Sequence, residues 1–181
     1  MDKKIIINVG RQIGSGGRII AKMLAEKFFE QNDEHKTFMK SLFNIHVPHI
    51  SDGNFYSNKF TQEGLFQFQS DAIRKAADAG SCVFVGRCSD YVLRDYDNVV
   101  NIFITADMEN RIDRVCEREG CDRETARKRI TNRQQERASY YNYYTGKIWG
   151  HSESYDLCVN SSILGLEATA EYIENFIVKK F

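Results

Sequence analysis

The chain has 181 residues, of which 42% are hydrophobic and 12% aromatic, so it is long enough for one sizeable core and too apolar to be disordered. Its 25 basic and 25 acidic residues cancel to a formal net charge of +0, which argues against a general nucleic-acid binder. No apolar run reaches the roughly 18 residues that span a membrane, and the five cysteines are irregularly spaced, so we expect a cytoplasmic protein with reduced thiols and no membrane partner.

The N-terminal part of the chain predicts a strand, a glycine-rich loop and a helix. Residues 5–9 are short, apolar and β-branched, which is typical of a buried parallel strand. A helical period follows over 19–29. A second, short strand is predicted over 36–39, and residues 43–64 lack a clear period, so we interpret them as a mobile or substrate-covering region.

The rest of the chain continues this alternation of strands and helices. Strands are predicted over 82–86, 99–104 and 155–159, and helices over 67–79, 108–118, 123–144 and 166–179. Alternating elements indicate an α/β fold whose parallel sheet carries helices on both faces. Because ligands bind at the carboxyl ends of such strands, we expect the site at that edge of the sheet.

The glycine-rich loop over residues 10–18 predicts a phosphate site. Glycines let the backbone approach a ligand, consecutive N–H groups form an anion-binding nest, and the helix N-terminus adds a positive dipole end. The candidate binding residues are Arg11, Gly14, Ser15, Gly16, Gly17 and Arg18. Gly17 stands at the lysine position of the standard GxxxxGK(S/T) loop, so we hypothesise that Arg11 and Arg18 supply the missing charge. The alternative is a turn that only allows tight packing.

An arginine-rich segment precedes the last predicted strand. Arg129, Arg133 and Arg137 repeat every four residues, so one helix face carries all three. Forked guanidinium groups suit the charge that spreads over a phosphoryl group during its transfer. The alternative is a solvated helix face balanced by nearby carboxylates.

Several segments together resemble the cytidylate kinase-like family of P-loop kinases. The resemblance is carried by residues 11–18, 82–95, 101–106, 137–141, 144–146, 149–150 and 155–161. It implies a single domain over 1–181 with a three-layer P-loop NTPase fold, a five-stranded parallel sheet and a helical lid. The acceptor-binding region would occupy about 30–65 and the lid about 120–150.

The same resemblance implies a reaction and roles for residues. ATP with Mg²⁺ would phosphorylate a small-molecule nucleotide, CMP or dCMP first. Arg87 would hold the acceptor's phosphate, while the lid arginines Arg129, Arg133 and Arg137 would close over the transferring group. Arg18 joins these catalytic candidates through its position at the glycine loop. No residue is assigned to the metal. Two departures from the family pattern are Gly17 in place of the loop lysine and Met39 where many relatives have an aspartate. They leave two alternatives: a nucleotide-binding protein with a degraded site, or a kinase for another small acceptor.

Two further features allow more than one interpretation. A run of tyrosines over 140–144, together with Trp149, is suited to stacking on a base or to packing at a helix end. Cys88 beside Arg87 is either a reactive thiol or an inert packed cysteine. The sequence gives no indication of the oligomeric state.

Overall fold

A computed structural model of the chain describes residues 4–29 and 61–181. Two predicted features lie outside these ranges: the strand over 36–39, which includes Met39, and residues 43–60 of the segment 43–64. The elements, in chain order, are β1 (Ile6–Arg11), α1 (Gly17–Phe29), α2 (Gln62–Ala79), β2 (Cys82–Val85), α3 (Ser89–Val92), β3 (Val99–Thr105), α4 (Met108–Glu119), α5 (Arg123–Thr145), a 3₁₀ turn (Ser152–Ser154), β4 (Leu157–Asn160) and α6 (Ser161–Lys180).

The described strands form one parallel sheet in the order β2-β1-β3-β4. Within the described residues the sheet has four strands rather than five, and all four were predicted from the sequence; the remaining predicted strand, over 36–39, lies outside these residues. β1 lies in its interior, with Ile6 paired to Cys82 on one side and to Val99 on the other. The end of β1 is therefore flanked by the ends of β2 and β3.

Alternation along the strands separates two cores. Ile7 and Val9 face one side, where they pack with Ile20 of α1 and Ile173 of α6. Ile6 faces the opposite side and joins a core built from β2, α2 and the residues around α3. The period of two along each strand thus produces three layers, with helices on both faces of the sheet.

A third core connects the glycine loop to α4 and α5. Ile13 of the loop packs with Ile112 of α4 and with Ala126 and Ile130 of α5. Ile112 and Ile130 are completely buried. The loop therefore rests on a helix pair rather than projecting into solvent.

Capping residues set two helix boundaries that periodicity alone misplaces. α2 begins five residues before its predicted start because Thr61 Oγ1 accepts a hydrogen bond from the Gly64 N–H at 3.1 Å. α6 begins at Ser161, but Gly165 breaks it with φ 79°, so its regular part starts at the predicted residue 166. Among the described helices, none has the length and apolar character needed to cross a bilayer.

Candidate phosphate-binding site

The glycine loop is held in place by hydrogen bonds to its carbonyl oxygens. Arg111 Nε of α4 donates to the Ile13 carbonyl at 2.7 Å, and Arg114 Nη1 donates to the Gly14 carbonyl at 3.2 Å. Ser161 Oγ of α6 donates to the Ser15 carbonyl at 2.7 Å. Three successive loop carbonyls therefore point toward the surrounding helices.

The orientation of these carbonyls determines where the loop amides point. In a planar trans peptide the C=O and the following N–H point in opposite directions. The N–H groups of Gly14, Ser15 and Gly16 therefore face away from α4 and α6, and that of Ser15 already donates to the Gln12 carbonyl at 3.4 Å. The first amides of α1 join them, since the first turn of a helix leaves its N–H groups without intrahelical partners. Such an arrangement of amides at a helix N-terminus is suited to binding an anion.

Gly14 is the glycine whose replacement we expect to damage the loop. Its φ is +77°, and a Cβ there would lie 2.6 Å from the Arg111 carbonyl oxygen. Gly14→Ala should lower the free energy of unfolding by about 2–4 kcal/mol, measured by urea denaturation. Gly120→Ala is the control, because Gly120 also has a positive φ but no atom near its Cβ position; it should cost about 1–2 kcal/mol. Equal losses in the two variants would contradict the steric argument.

The Arg11 side chain crosses from the glycine loop to the end of β2. A Cβ on Gly17 would lie 2.5 Å from the Cβ of Arg11, and a Cβ on Gly86 would overlap its guanidinium group. Gly17, at the position of the usual lysine, thus leaves room for the Arg11 stem. Gly86 leaves room for its charged end.

The turn after β2 places Arg87 at the same edge of the sheet. Gly86, Arg87 and Cys88 all have positive φ values, of 73°, 62° and 56°. Two consecutive non-glycine residues in the left-handed region are energetically costly and are typical of functional turns. Arg87 is exposed, whereas Cys88 is buried and burial raises its pKa to about 12. The interpretation of Cys88 as a reactive thiol is therefore wrong.

Three guanidinium groups interact electrostatically with that of Arg11 at this edge, and we call Arg11, Arg18, Arg87 and Arg137 the arginine corner. Burial, and then the charges of Arg137, Arg87 and Arg18, lower the pKa of Arg11 to about 9. Burial, and then Arg87, lower the pKa of Arg137 to about 10, with Arg118 and Arg133 adding to the effect. Arg137 Nη1 also donates to the Arg11 carbonyl at 3.3 Å.

The arginine corner lacks a protein counter-charge among the described residues. No carboxylate in residues 4–29 or 61–181 forms an ion pair with any of its four guanidinium groups. Like charges held together without compensation disfavour the folded state. A bound polyanion would supply the missing charge, with charge-assisted hydrogen bonds to the guanidinium groups.

Arg129 and Arg133 bind a different partner, the carboxylate of Glu119 at the end of α4. Arg118, Arg129 and Arg133 donate to Glu119 at 2.6, 2.9 and 2.6 Å, and we call these four residues the Glu119 clasp. The predicted arginine face of α5 is thus divided between two sites. Arg137 belongs to the arginine corner, and Arg129 and Arg133 belong to the clasp.

The clasp predicts a pH dependence of stability. Burial opposes the charge of Glu119, but hydrogen bonds from its three arginines lower its pKa from the ordinary 4.5 to about 2. A depressed pKa contributes stability above the unfolded value, and this contribution is lost as the pH falls from 4.5 toward 2. Glu119→Gln should lower the free energy of unfolding at neutral pH by about 1–3 kcal/mol and flatten this acid dependence.

The measurement is urea denaturation between neutral and acidic pH. Glu124→Gln is the control, because Glu124 forms an exposed pair with Lys128 at 2.7 Å and such pairs contribute about 0–1 kcal/mol. A Glu119→Gln variant with the stability and pH profile of Glu124→Gln would show that the clasp is energetically unimportant.

Sequence reasoning missed the residues that orient the loop. No role was predicted for Arg111, Arg114 or Ser161. A signal for Arg111 exists in the sequence, because it stands on the apolar face of α4 beside Ile112 and one turn before Val115. Its side chain is only 3% exposed, which is unusual for an arginine unless it is hydrogen-bonded.

The fold of this chain is similar to that of a solved kinase structure. The solved shikimate kinase from Bacteroides thetaiotaomicron has a TM-score of 0.58 with this chain at 11% identity, covering 97% of this chain and 99% of its own. At that identity the likeness shows the fold alone. Together with the strand–loop–helix unit, it defines a P-loop kinase fold.

The family follows from a match over most of the chain. The model of the cytidylate kinase-like family matches residues 26–163, and the protein belongs to that family. A cytidylate kinase of Methanococcus aeolicus is 28% identical, covering 97% of this chain and 99% of its own, and one of Methanoculleus marisnigri is 25% identical, covering 93% and 91%. An uncharacterized protein from Eubacterium ventriosum has a TM-score of 0.76 at 29% identity, covering 96% and 98%.

Proposed function

We propose that this kinase-like protein transfers the γ-phosphoryl group of ATP to a nucleoside monophosphate, with CMP or dCMP as the acceptor. The observation that carries the proposal is the arginine corner, whose four guanidinium groups stand beside the amides of the glycine loop without a described carboxylate partner. Membership of the cytidylate kinase-like family and relatives named cytidylate kinase support the choice of acceptor.

Each part of the site has a role in this reaction. The amides of the glycine loop and Arg18 hold the donor's phosphates, and Arg87 holds the acceptor's phosphate. Arg11 reaches from the loop to Gly86, so it can neutralise charge between the two. Arg137, on α5, stabilises the transferring group. Catalysis then rests on in-line positioning and electrostatic stabilisation, without a covalent intermediate.

Two further segments of the chain would complete the site. We propose that residues 30–65 bind the acceptor and that residues 120–150 act as a lid. In this structure both Arg129 and Arg133 are bound to Glu119, so the lid must move before they can approach the transferring phosphoryl group. A lid of this kind excludes water that would otherwise hydrolyse the donor.

The residues of this site do not by themselves provide a magnesium ligand set. The described residues hold no group of three or more His, Cys, Asp or Glu side chains that could bind a metal. The Ser15 hydroxyl, the one loop candidate, is fully buried and donates to the Gln12 carbonyl at 3.0 Å. We propose that Mg²⁺ binds together with ATP and is held mainly by phosphate oxygens and water.

A panel of acceptors tests the proposed reaction. Purified protein with MgATP would be incubated with CMP, dCMP, UMP, AMP, GMP and shikimate, and ADP release would be followed in a coupled assay. We expect turnover with CMP or dCMP well above the rate without acceptor. Turnover with shikimate alone would instead identify a kinase for another small acceptor.

One observation favours a second candidate, a nucleotide-binding protein without catalysis. Gly17 replaces the loop lysine, and the Arg11 stem packs against it. The same panel separates the two candidates if ATP binding is measured in parallel by thermal shift. Stabilisation by ATP without ADP release from any acceptor would support the second candidate and reject the proposed reaction.

A further inference from the structure

A hydrogen bond joins the turn after β2 to the long helix α5. Tyr141 Oη donates to Asp90 Oδ2 at 2.6 Å. Asp90 lies in the first turn of α3, directly after the strained turn that carries Arg87. Tyr141 is only 4% exposed and is the one buried tyrosine of the run over 140–144. The bond therefore connects two elements that are distant in the sequence, and its hydroxyl end lies in the interior.

The bonded residues stand close in the chain to two members of the arginine corner. Arg87 precedes Asp90 by three residues, and Arg137 precedes Tyr141 by one helical turn. Residues four apart share a helix face, so Arg137 and Tyr141 project from the same side of α5. After burial, the charge of Arg87 contributes most to lowering the pKa of Arg137, which places the two guanidinium groups near each other. The Asp90–Tyr141 bond thus ties the turn of Arg87 to the helix that carries Arg137.

Tyr155 braces this bond from the side of the sheet. Its side chain interacts with both Tyr141 and Asp90. The Tyr155 ring lies 4.9 Å from the ring of Phe103 in β3, between centroids, and a Cβ on Gly10 would lie 3.2 Å from it. Because Phe103 and Gly10 belong to the central strands, the bond rests on the most rigid part of the fold. Polar side chains locked in this way fix the geometry of a neighbouring site.

The carboxylate of Asp90 does not act as a counter-charge to the arginines. Across residues 4–29 and 61–181 it forms no ion pair. Burial raises the pKa of Asp90, while the hydrogen bond from Tyr141 and the charge of Lys147 oppose this increase. The contact that the structure gives this carboxylate is therefore the one with Tyr141, which points to a structural link between two elements rather than to neutralisation of Arg87.

We propose that Asp90 and Tyr141 are positioning residues that hold Arg87 and Arg137 at the spacing needed by a phosphate chain running between them; this inference rests on the proposed function. A displacement of about 1 Å near a reacting centre can cost about 10²-fold in rate. Loosening the bond should therefore weaken ligands that contact both arginines. ATP alone does not reach Arg87 in the proposed site and should be affected little.

Calorimetry with two probes tests this role. The probes are MgATP and a dinucleoside pentaphosphate with adenosine and cytidine at its ends, whose phosphate chain spans donor and acceptor positions. We expect Tyr141→Phe and Asp90→Leu to weaken the pentaphosphate by about 10-fold and ATP by less than about 2-fold. Asp90→Asn should bind both probes as wild type does, because its amide oxygen accepts the same hydrogen bond. Tyr96→Phe is the control, since its hydroxyl donates to Asp78 at 2.9 Å at an exposed site.

The variants distinguish positioning from other roles. Losses in Asp90→Asn as large as in Asp90→Leu would show that the charge matters and not the bond, and would overturn the inference. Equal weakening of both probes in Tyr141→Phe, or a wild type that binds the pentaphosphate no more tightly than ATP, would also overturn it. Tyr141→Phe keeps the ring and decides the matter if Asp90→Leu fails to fold. Because the readout is binding, the expected pattern without ADP release from any acceptor would reject the reaction and support the positioning role.

Discussion

Arg11→Met should stabilise the protein in the absence of ligand and abolish its stabilisation by ATP. Methionine keeps most of the apolar volume of the side chain and removes a partly buried positive charge that three other guanidinium groups oppose. Replacing a poorly compensated buried charge with an apolar side chain is often stabilising. We expect a gain of about 1–2 kcal/mol, which for a chain of this size raises the melting temperature by roughly 2–8 °C.

Thermal unfolding with and without MgATP measures both halves of this prediction. At a saturating concentration of about 100 times the dissociation constant, a ligand stabilises the wild type by about 2.7 kcal/mol. Arg11→Met should show little of that gain. Arg74→Met is the control, because Arg74 pairs with Asp71 at 3.3 Å on the exposed face of α2. A less stable Arg11→Met that still responds fully to ATP would show that Arg11 is only structural.

Arg87→Gln should have the largest effect on catalysis. The strained turn after β2 directs this exposed guanidinium group to the edge of the sheet, where we place the acceptor's phosphate. Glutamine keeps a hydrogen-bond donor but removes the charge and the forked geometry. We expect kcat/KM for the acceptor to fall by about 10²–10³, as when one positioned donor is removed from other active sites.

The Arg87→Gln substitution should impair the use of the acceptor and not the binding of ATP. Steady-state kinetics should show the KM for ATP nearly unchanged, because the glycine loop and Arg18 are intact. Arg94→Gln is the control, since Arg94 follows α3 and donates to the Tyr91 carbonyl at 2.8 Å. Equal losses for donor and acceptor would contradict the assignment of Arg87 to the acceptor.

The order of elements was predictable because it depends on local patterns. The short apolar, β-branched run of β1 and the helical period of α1 are both visible in the sequence, and the glycines between them mark the loop. The observed starts of α2 and α6 differ from the predicted ones because of a cap at Thr61 and a backbone break at Gly165. Both act through single residues rather than through periodicity.

The partners of the arginines were not predictable in the same way. The period of four placed Arg129, Arg133 and Arg137 on one face, and only Arg137 lies at the arginine corner. Which arginine binds Glu119 depends on how α4 packs against α5, and that packing is set by the core around Ile112 and Ile130. The crossing of Arg11 to Gly86 likewise depends on the register of β1 with β2.

The central claim is that loop amides and the arginine corner bind a polyphosphate. Calorimetric titration of the wild type with inorganic tripolyphosphate in the presence of Mg²⁺ tests it without involving a base or an acceptor. We predict saturable binding at one site, with a dissociation constant below about 1 mM, that ATP displaces. Absence of binding, or binding that ATP does not displace, would contradict the claim.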